Sequence, residues 1–241
     1  MYEALKEAVF LANLELPRLG LVDFTWGNVS ARDPNTGAIA IKPSGVPYET
    51  MKAGDIVVVD ADGLPLDGSL NPSSDLPTHI EMYRRFKGIG GIVHTHSTWA
   101  TVWAQACRPI PALGTTHADY FRGEIPCTHA LSKRQTIGRY ETETGWAIVE
   151  RFRELGLEPG EMPAVLVANH GPFAWGADAA EAVHNAAVLE IVARMALLTL
   201  ELDPAKAPMP NHLLEKHFGR KHGPGAYYGQ ARADGTPRPA R

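Results

Sequence analysis

Two histidines one residue apart end the apolar stretch GGIVHTHS, residues 90–97. Side chains at positions i and i+2 of a β-strand point to the same face, so this spacing places the imidazoles of His94 and His96 side by side. A third histidine, His170, also follows an apolar run and precedes a Gly-Pro pair. Three imidazoles suit zinc, and less specifically manganese, iron or cobalt. With ten histidines in the chain, a close pair can also consist of ordinary hydrogen-bonded or surface side chains.

An acidic residue, Asp75, stands in the segment NPSSDLPTH, where turn residues lead into a predicted helix. Its carboxylate could add an oxygen donor to the three imidazoles. It could equally be a plain helix N-cap, since aspartate is among the residues preferred at that position. The residues alone leave both interpretations open.

Three short loops offer groups that bind phosphate. They are TWGNVS, IKPSGV and NPSSD, at residues 25–30, 41–46 and 71–75. Their glycine backbone, serine hydroxyls, Asn28 and Lys42 could surround a phosphate with N–H and O–H donors. Each loop could also be only a turn, and no segment matches the patterns that cradle ATP or NAD.

Apolar periodicity predicts the elements that position these residues. We expect helices from the N-terminus to Pro17 and over residues 73–87, 97–106, 142–155 and 178–202, the last opened by a D-x-x-E capping box. Strands are expected at 21–25, 38–43, 55–60, 92–96 and 164–168. This mixture indicates one α/β domain over residues 1–230, followed by a disordered tail at 231–241 that is rich in Gly, Pro and Arg.

Composition restricts the class of function. The 241 residues are 44% hydrophobic with a net charge of −4, which favours a globular protein and indicates no nucleic-acid footprint. The apolar runs are shorter than a membrane span, so we expect no membrane partner. Two cysteines are too few for a disulfide framework and favour the cytoplasm. A small-molecule function is the remaining expectation.

These segments together resemble the class II aldolase and adducin family. FTWGNVS, IKPSGV, PSSDLPTH, GGIVHTHS, ETGWAIVE and NHGPFAWG occur in the order typical of the family, and the resemblance extends from residue 1 to about residue 230. The segments TTHADYF and YYGQ favour its epimerase branch over the aldolases. The resemblance implies a three-layer α/β/α domain around a central, mainly antiparallel sheet. It also implies a homotetramer with active sites between subunits.

The resemblance also implies a set of site residues. The metal site is expected to comprise Asp75, His94, His96 and His170. Substrate and phosphate contacts are expected from Gly27, Asn28, Lys42, Ser44, Gly45, Ser73 and Ser74. Two acid/base groups, Asp119 and Tyr228, are expected from the neighbouring subunit. Sequence leaves open the roles of His117, His217, Arg220 and Lys221.

The implied activity is metal-dependent interconversion of L-ribulose 5-phosphate and D-xylulose 5-phosphate. C4 carries no acidic hydrogen, so inversion there requires the C3–C4 bond to break and re-form. A divalent metal, zinc or else manganese or another cation, would stabilise the charge that this cleavage leaves on oxygen. Three alternatives stay open: an epimerase directed at L-xylulose 5-phosphate, a sugar-phosphate aldolase of the L-fuculose 1-phosphate type, and a non-catalytic adducin-like interaction module. The aldolases typically place a glutamate where this chain has Asp75.

Overall fold

The computed structural model describes residues 2–223 and 225–228. The predicted disordered tail at 231–241 lies outside this part of the chain. The described residues form eight α-helices, and a short 3-10 turn occurs at Ala53–Asp55. The helices are α1 Glu3–Arg18, α2 Leu76–Arg85, α3 Thr98–Gln105, α4 Thr115–Ala118, α5 Lys133–Ile137, α6 Tyr140–Leu155, α7 Ala179–Leu202 and α8 Asn211–His222.

Seven strands form one sheet in which every pairing between named strands is antiparallel. They are β1 Asn28–Arg32, β2 Ile39–Ile41, β3 Val57–Val59, β4 Pro65–Asp67, β5 Gly91–His94, β6 Ala164–Leu166 and β7 Pro172–Gly176. Their order across the sheet is β4-β3-β2-β1-β5-β7-β6. Strand β5 therefore lies between β1 and β7, which places the loops at the ends of these three strands close together.

Helices cover both faces of the sheet. On one face α7 packs along β5 and β7 and contacts α1 and α3. On the other face, Trp175 of β7 contacts Phe86 at the end of α2 and Phe152 of α6, with ring centroids 5.2 Å and 5.3 Å away. The three-layer α/β/α arrangement with an antiparallel sheet, predicted from the family resemblance, is confirmed.

The longest helix, α7, is apolar enough by length and composition to cross a membrane. It packs against the sheet and two other helices, and residues such as Ala182, Leu189 and Ala193 are almost completely buried. A helix that is apolar around most of its circumference is typical of the interior of a folded domain. The contacts of α7 are those of a core helix. The predicted D-x-x-E capping box forms only in part: Asp178 Oδ1 accepts a hydrogen bond of 2.8 Å from the Glu181 N–H, but Glu181 Oε2 accepts from the Ala177 N–H rather than from that of Asp178.

Two features of the predicted strands were wrong. Residues 21–25 form no strand, because the Trp26 N–H closes a turn on the Asp23 carbonyl and Phe24 has a left-handed φ of 54°. A left-handed residue interrupts the extended backbone that a strand needs. The predicted strand at 92–96 ends at His94, so His96 lies in the loop before α3. Strands β1, β4 and β7 and helices α4, α5 and α8 were not predicted.

Candidate metal centre

Three histidines converge at one end of the central strands. His94 ends β5, His96 follows two residues later, and His170 lies in the turn between β6 and β7. One ligand atom from each histidine lies within 4.8 Å of the others. The antiparallel pairing of β5 with β7 sets His94 opposite Phe173, and this brings the turn before β7 beside the end of β5. Strand pairing, more than the two-residue spacing, thus assembles the cluster.

Two glycines let the backbone approach these histidines closely. A Cβ atom at Gly171 would lie 2.8 Å from the Thr95 carbonyl oxygen and 3.1 Å from Cδ2 of His96. At Gly27 it would lie 2.6 Å from Cγ1 of Val22 and 2.9 Å from the His94 carbonyl oxygen, and Gly27 has a left-handed φ of 72°. Real Cβ atoms do not tolerate such distances, so the backbone on both sides of the histidine segment requires glycine.

The donor set fits a tetrahedral cation. His94 Nδ1 lies 2.9 Å from the Pro172 carbonyl oxygen, which can only accept, so Nδ1 carries the proton and Nε2 presents a lone pair. That Nε2 lies 3.2 Å from Nε2 of His96. Two nitrogens bound tetrahedrally at about 2.0–2.1 Å from one zinc ion would be separated by about 3.3 Å. The two lone pairs therefore have a separation suited to sharing one ion.

Two of the three imidazoles, those of His96 and His170, have a lowered pKa, which favours the neutral form that binds metals. Burial, followed by the nearby His94 and His96, lowers the pKa of His170 to about 4. Burial and then His94 lower the pKa of His96. Phe173 stacks on the His94 ring with centroids 4.2 Å apart, which fixes the plane of that ring.

Asp75 occupies the N-cap position of α2, but its side chain makes no capping hydrogen bond. Its Oδ2 instead accepts a bond of 2.7 Å from Asn28 Nδ2. Burial opposes ionisation of Asp75, yet the nearby His94 and His79 and the Asn28 bond lower its pKa overall. The carboxylate is thus turned toward the site and away from the helix end. Among the described residues it is not a member of the group whose ligand atoms lie mutually within 4.8 Å, so its role as a ligand stays a prediction.

A cavity of about 440 Å³ joins the histidines to the predicted phosphate loops. Its lining includes all four predicted metal residues and all seven predicted substrate residues. The chain brings two of the loops together through a bridge between Pro43 and Pro72 and a 2.9 Å bond from the Ser73 N–H to the Lys42 carbonyl. The loops that the sequence predicted as separate turns therefore form one wall of the cavity.

Lys42 is the cation of this wall and is only 1% exposed. Its Nζ lies 3.3 Å and 3.4 Å from the carbonyl oxygens of Thr25 and Pro43, and 4.7 Å from the centre of the Tyr48 ring. Burial lowers the pKa of Lys42 to about 8. Within the described part of the chain it has no carboxylate partner, so its charge is available to an anion that enters the cavity.

The predicted acid/base residues form a second cluster that does not line this cavity. Asp119 accepts hydrogen bonds from His217 Nδ1 at 3.0 Å and from Arg220 Nε and Nη2 at 2.9 Å and 2.5 Å. Burial would raise the pKa of Asp119, but the Arg220 and His217 bonds outweigh it and lower the pKa. Arg220 and Lys221 lie over the ring of Tyr228, 5.1 Å and 4.5 Å from its centre, and Tyr228 is 61% exposed.

His117, whose role sequence left open, is buried and bonds the Gly123 carbonyl oxygen through Nε2 at 2.7 Å. Burial lowers its pKa to about 4. Like Asp119, it is absent from the cavity lining. His117 is thus a buried, hydrogen-bonded histidine outside this cavity, and its role stays open.

Outside the predicted loops, the sequence analysis missed two residues of the cavity, Tyr140 and Glu141. They form the first turn of α6, which sequence predicted to begin only at residue 142. Tyr140 Oη lies 3.2 Å from His170 Nδ1. A more exact start for α6 would have placed both residues at a helix end but would not have shown which end of the sheet they face.

The fold and the site define a class of protein. The model of the class II aldolase and adducin N-terminal domain matches residues 7–197, and the chain belongs to this family. Within the family it is similar to the L-ribulose-5-phosphate 4-epimerase UlaF of Salmonella paratyphi B and to that of Salmonella typhi. Each is 58% identical over 228 residues, which are 95% of this chain and 99% of the relative.

Among solved structures, the chain is similar to an L-fuculose 1-phosphate aldolase, with a TM-score of 0.78 and 26% identity over 90% of this chain and 95% of that one. An L-fuculose-1-phosphate aldolase of Thermus thermophilus gives a TM-score of 0.66 and 26% identity over 85% of this chain and all of that one (100%). The shared architecture therefore extends beyond the epimerases.

Proposed function

We propose that this chain interconverts L-ribulose 5-phosphate and D-xylulose 5-phosphate by breaking and re-forming the C3–C4 bond. The observation that carries the proposal is one cavity that is lined both by the three convergent imidazoles and by the loops that offer phosphate-binding groups. Similarity of 58% to curated epimerases of almost the same length supports the same activity. Family membership supports a divalent-metal enzyme, and the three-nitrogen donor set favours zinc over manganese.

Separate groups of residues would bind the phosphate and the cation. Lys42 and the hydroxyls of Ser44, Ser73 and Ser74 would hold the phosphate, so that the cleaved two-carbon fragment stays in the cavity while its aldehyde turns over. The three histidines, with Asp75 beside them, would hold the cation. When bound, a divalent cation supplies Lewis-acid stabilisation of the negative charge that develops on oxygens next to the broken bond.

Proton transfer occurs at the C4 oxygen, which lies on opposite sides of the carbon skeleton in the two epimers. Two groups are therefore needed, and we assign them to Asp119 and Tyr228. The low pKa of Asp119 keeps its carboxylate ionised and able to accept that proton. Because neither residue lines the cavity of its own chain, we propose that a neighbouring copy supplies both, in a homotetramer located in the cytoplasm.

A product analysis tests the activity. Purified protein incubated with L-ribulose 5-phosphate should accumulate D-xylulose 5-phosphate, as followed by NMR. A class II aldolase is the second candidate, because solved structures similar to this chain include L-fuculose 1-phosphate aldolases. Free glycolaldehyde phosphate accumulating without D-xylulose 5-phosphate would overturn the epimerase in favour of an aldolase. A parallel assay with L-xylulose 5-phosphate identifies the preferred substrate.

The buried Lys42 predicts how substrate binding depends on pH. Its pKa of about 8 means that it is charged below pH 8 and loses its charge as pH rises above it. The substrate phosphate is already dianionic above pH 7, since its second pKa is about 6. KM should therefore rise between pH 7 and pH 9, with a midpoint at or above 8 because a bound phosphate favours charged lysine. Initial rates across this range measure the effect.

The variant Lys42→Met is the matched control, since it keeps the unbranched shape and most of the length of the side chain and removes the charge. Hydrogen bonds to charged groups contribute about 1.5–3 kcal/mol, so its KM at pH 7 should be roughly tenfold higher or more and should no longer rise with pH in this range. Equal pH profiles for the variant and the native protein would remove Lys42 from phosphate binding.

A further inference from the structure

Tyr140 contacts the histidine cluster from outside it. It is half-buried, lines the cavity, and places Oη 3.2 Å from Nδ1 of His170. A histidine that binds a metal through one ring nitrogen needs a hydrogen-bond partner for the N–H on the other, because that bond fixes both the tautomer and the plane of the ring. For His94 this partner is the Pro172 carbonyl oxygen at 2.9 Å.

His170 has no such backbone partner within the described residues, and Tyr140 Oη occupies the corresponding place. With Nε2 available to bind a cation, Nδ1 of His170 carries the proton and its N–H donates a hydrogen bond to Oη. His170 lies in the turn between β6 and β7, where Asn169 has a left-handed φ of 61°. Its ring therefore extends from a loop, so a side-chain anchor contributes more to its orientation than it would on a strand.

The position of Tyr140 is itself fixed by the packing of two helix ends. Thr78 Oγ1 in the first turn of α2 donates a bond of 2.7 Å to the Glu141 carbonyl in the first turn of α6. A Cβ atom at Gly145 would lie 2.7 Å from Cβ of Glu81 and 3.1 Å from the Thr78 carbonyl oxygen, so the helices approach closely only with glycine at this position. Asp75 precedes α2 and Tyr140 opens α6, and this contact fixes both at the same cavity.

We propose that Tyr140 is a positioning residue that orients His170 for metal binding. This inference rests on the proposed cation at the three histidines. The phenol acts through His170. Its hydroxyl accepts the hydrogen bond that orients the His170 ring, while the aromatic ring of Tyr140 contributes packing.

The test compares Zn²⁺ binding by the native protein, Tyr140→Phe and Tyr48→Phe, measured by competition with a chromophoric chelator. Loss of a hydrogen-bond partner to a ligating histidine typically weakens metal affinity by roughly 10- to 100-fold, and this range is expected for Tyr140→Phe. Tyr48→Phe is the matched control, because its hydroxyl bonds the Trp26 and Gly27 carbonyls at the same cavity at 2.7 Å and 3.0 Å and contacts no histidine. Its zinc affinity should stay within about twofold of the native value, since no ligand loses its partner.

The visible absorption spectrum of the Co²⁺-substituted protein gives a second readout that general destabilisation does not alter. It should change in Tyr140→Phe and be unchanged in Tyr48→Phe. Native zinc affinity and an unchanged Co²⁺ spectrum in Tyr140→Phe would overturn the role of Tyr140 while leaving the proposed cation intact. A native protein that takes up no Zn²⁺ would overturn the proposed cation and this role together.

Discussion

The His96→Asn variant is expected to lose its divalent cation and to convert L-ribulose 5-phosphate at least roughly 10³-fold more slowly in kcat/KM. Lewis-acid stabilisation of developing charge contributes several kcal/mol, and each 1.4 kcal/mol or so corresponds to a factor of ten in rate. His96 is the exposed member of the three, with its Nε2 3.2 Å from that of His94, so asparagine removes a ligand without opening the core. Initial rates and metal content by mass spectrometry measure the two effects.

His129→Asn is the control for this substitution. His129 is an exposed histidine that bonds Glu154 at 3.0 Å and does not line the cavity. The same chemical change there should leave both the rate and the metal content at native values. The metal role of His96 would be refuted by a His96→Asn protein that retains both the ion and the native rate, whereas a native rate without the ion would refute the catalytic role of the cation.

The sequence predicted the members of the metal cluster better than the geometry that assembles them. The i, i+2 argument for His94 and His96 assumed a strand through both, whereas β5 ends at His94. The cluster forms because β5 pairs with β7 and because Gly27 and Gly171 admit close backbone contacts. Strand order is a long-range property, and no local pattern around residue 94 contains it.

The same limit explains the residues that were missed. The segment RYETETGW contains no pattern that predicts Tyr140 as a partner of His170, because their contact depends on how α6 packs on α2. For Asp75, the residues left an N-cap and a metal role equally open. The structure removes the capping explanation because the carboxylate bonds Asn28. The error at residues 21–25 has a local cause, since Phe24 adopts a left-handed conformation that alternating apolar residues do not indicate.

The separation of the two clusters has a consequence for assembly. The cavity is lined by the predicted metal ligands and by the predicted phosphate loops, but not by Asp119 or Tyr228. In their own chain, Asp119 is held by His217 and Arg220, and Tyr228 lies exposed beneath Arg220 and Lys221. The exposed phenol of Tyr228 can contact another molecule, whereas the Asp119 carboxylate is largely buried, with its side chain 12% exposed. We propose that a neighbouring copy completes the site, an arrangement that would account for both clusters with one active site per chain.

Mixing two inactive variants should restore activity if the sites lie between copies. A His96→Asn subunit has a damaged metal site and an intact Asp119 cluster. An Asp119→Asn subunit has an intact metal site and a damaged Asp119 cluster. In a cyclic assembly each site draws one half from each of two neighbours. After random exchange at equal ratio, a site has both intact halves with a probability of one half times one half, so about one quarter of native activity should return.

The experiment requires that the subunits exchange, which native mass spectrometry of a mass-labelled mixture can follow. Asp119→Asn keeps an oxygen that can accept from Arg220 and His217, so the cluster should retain its shape and the variant its thermal stability. Each variant alone should stay inactive at all concentrations, which distinguishes complementation from weak residual activity. Complete exchange without recovered activity would place Asp119 in the site of its own chain, and the two clusters would then have to approach each other within one subunit.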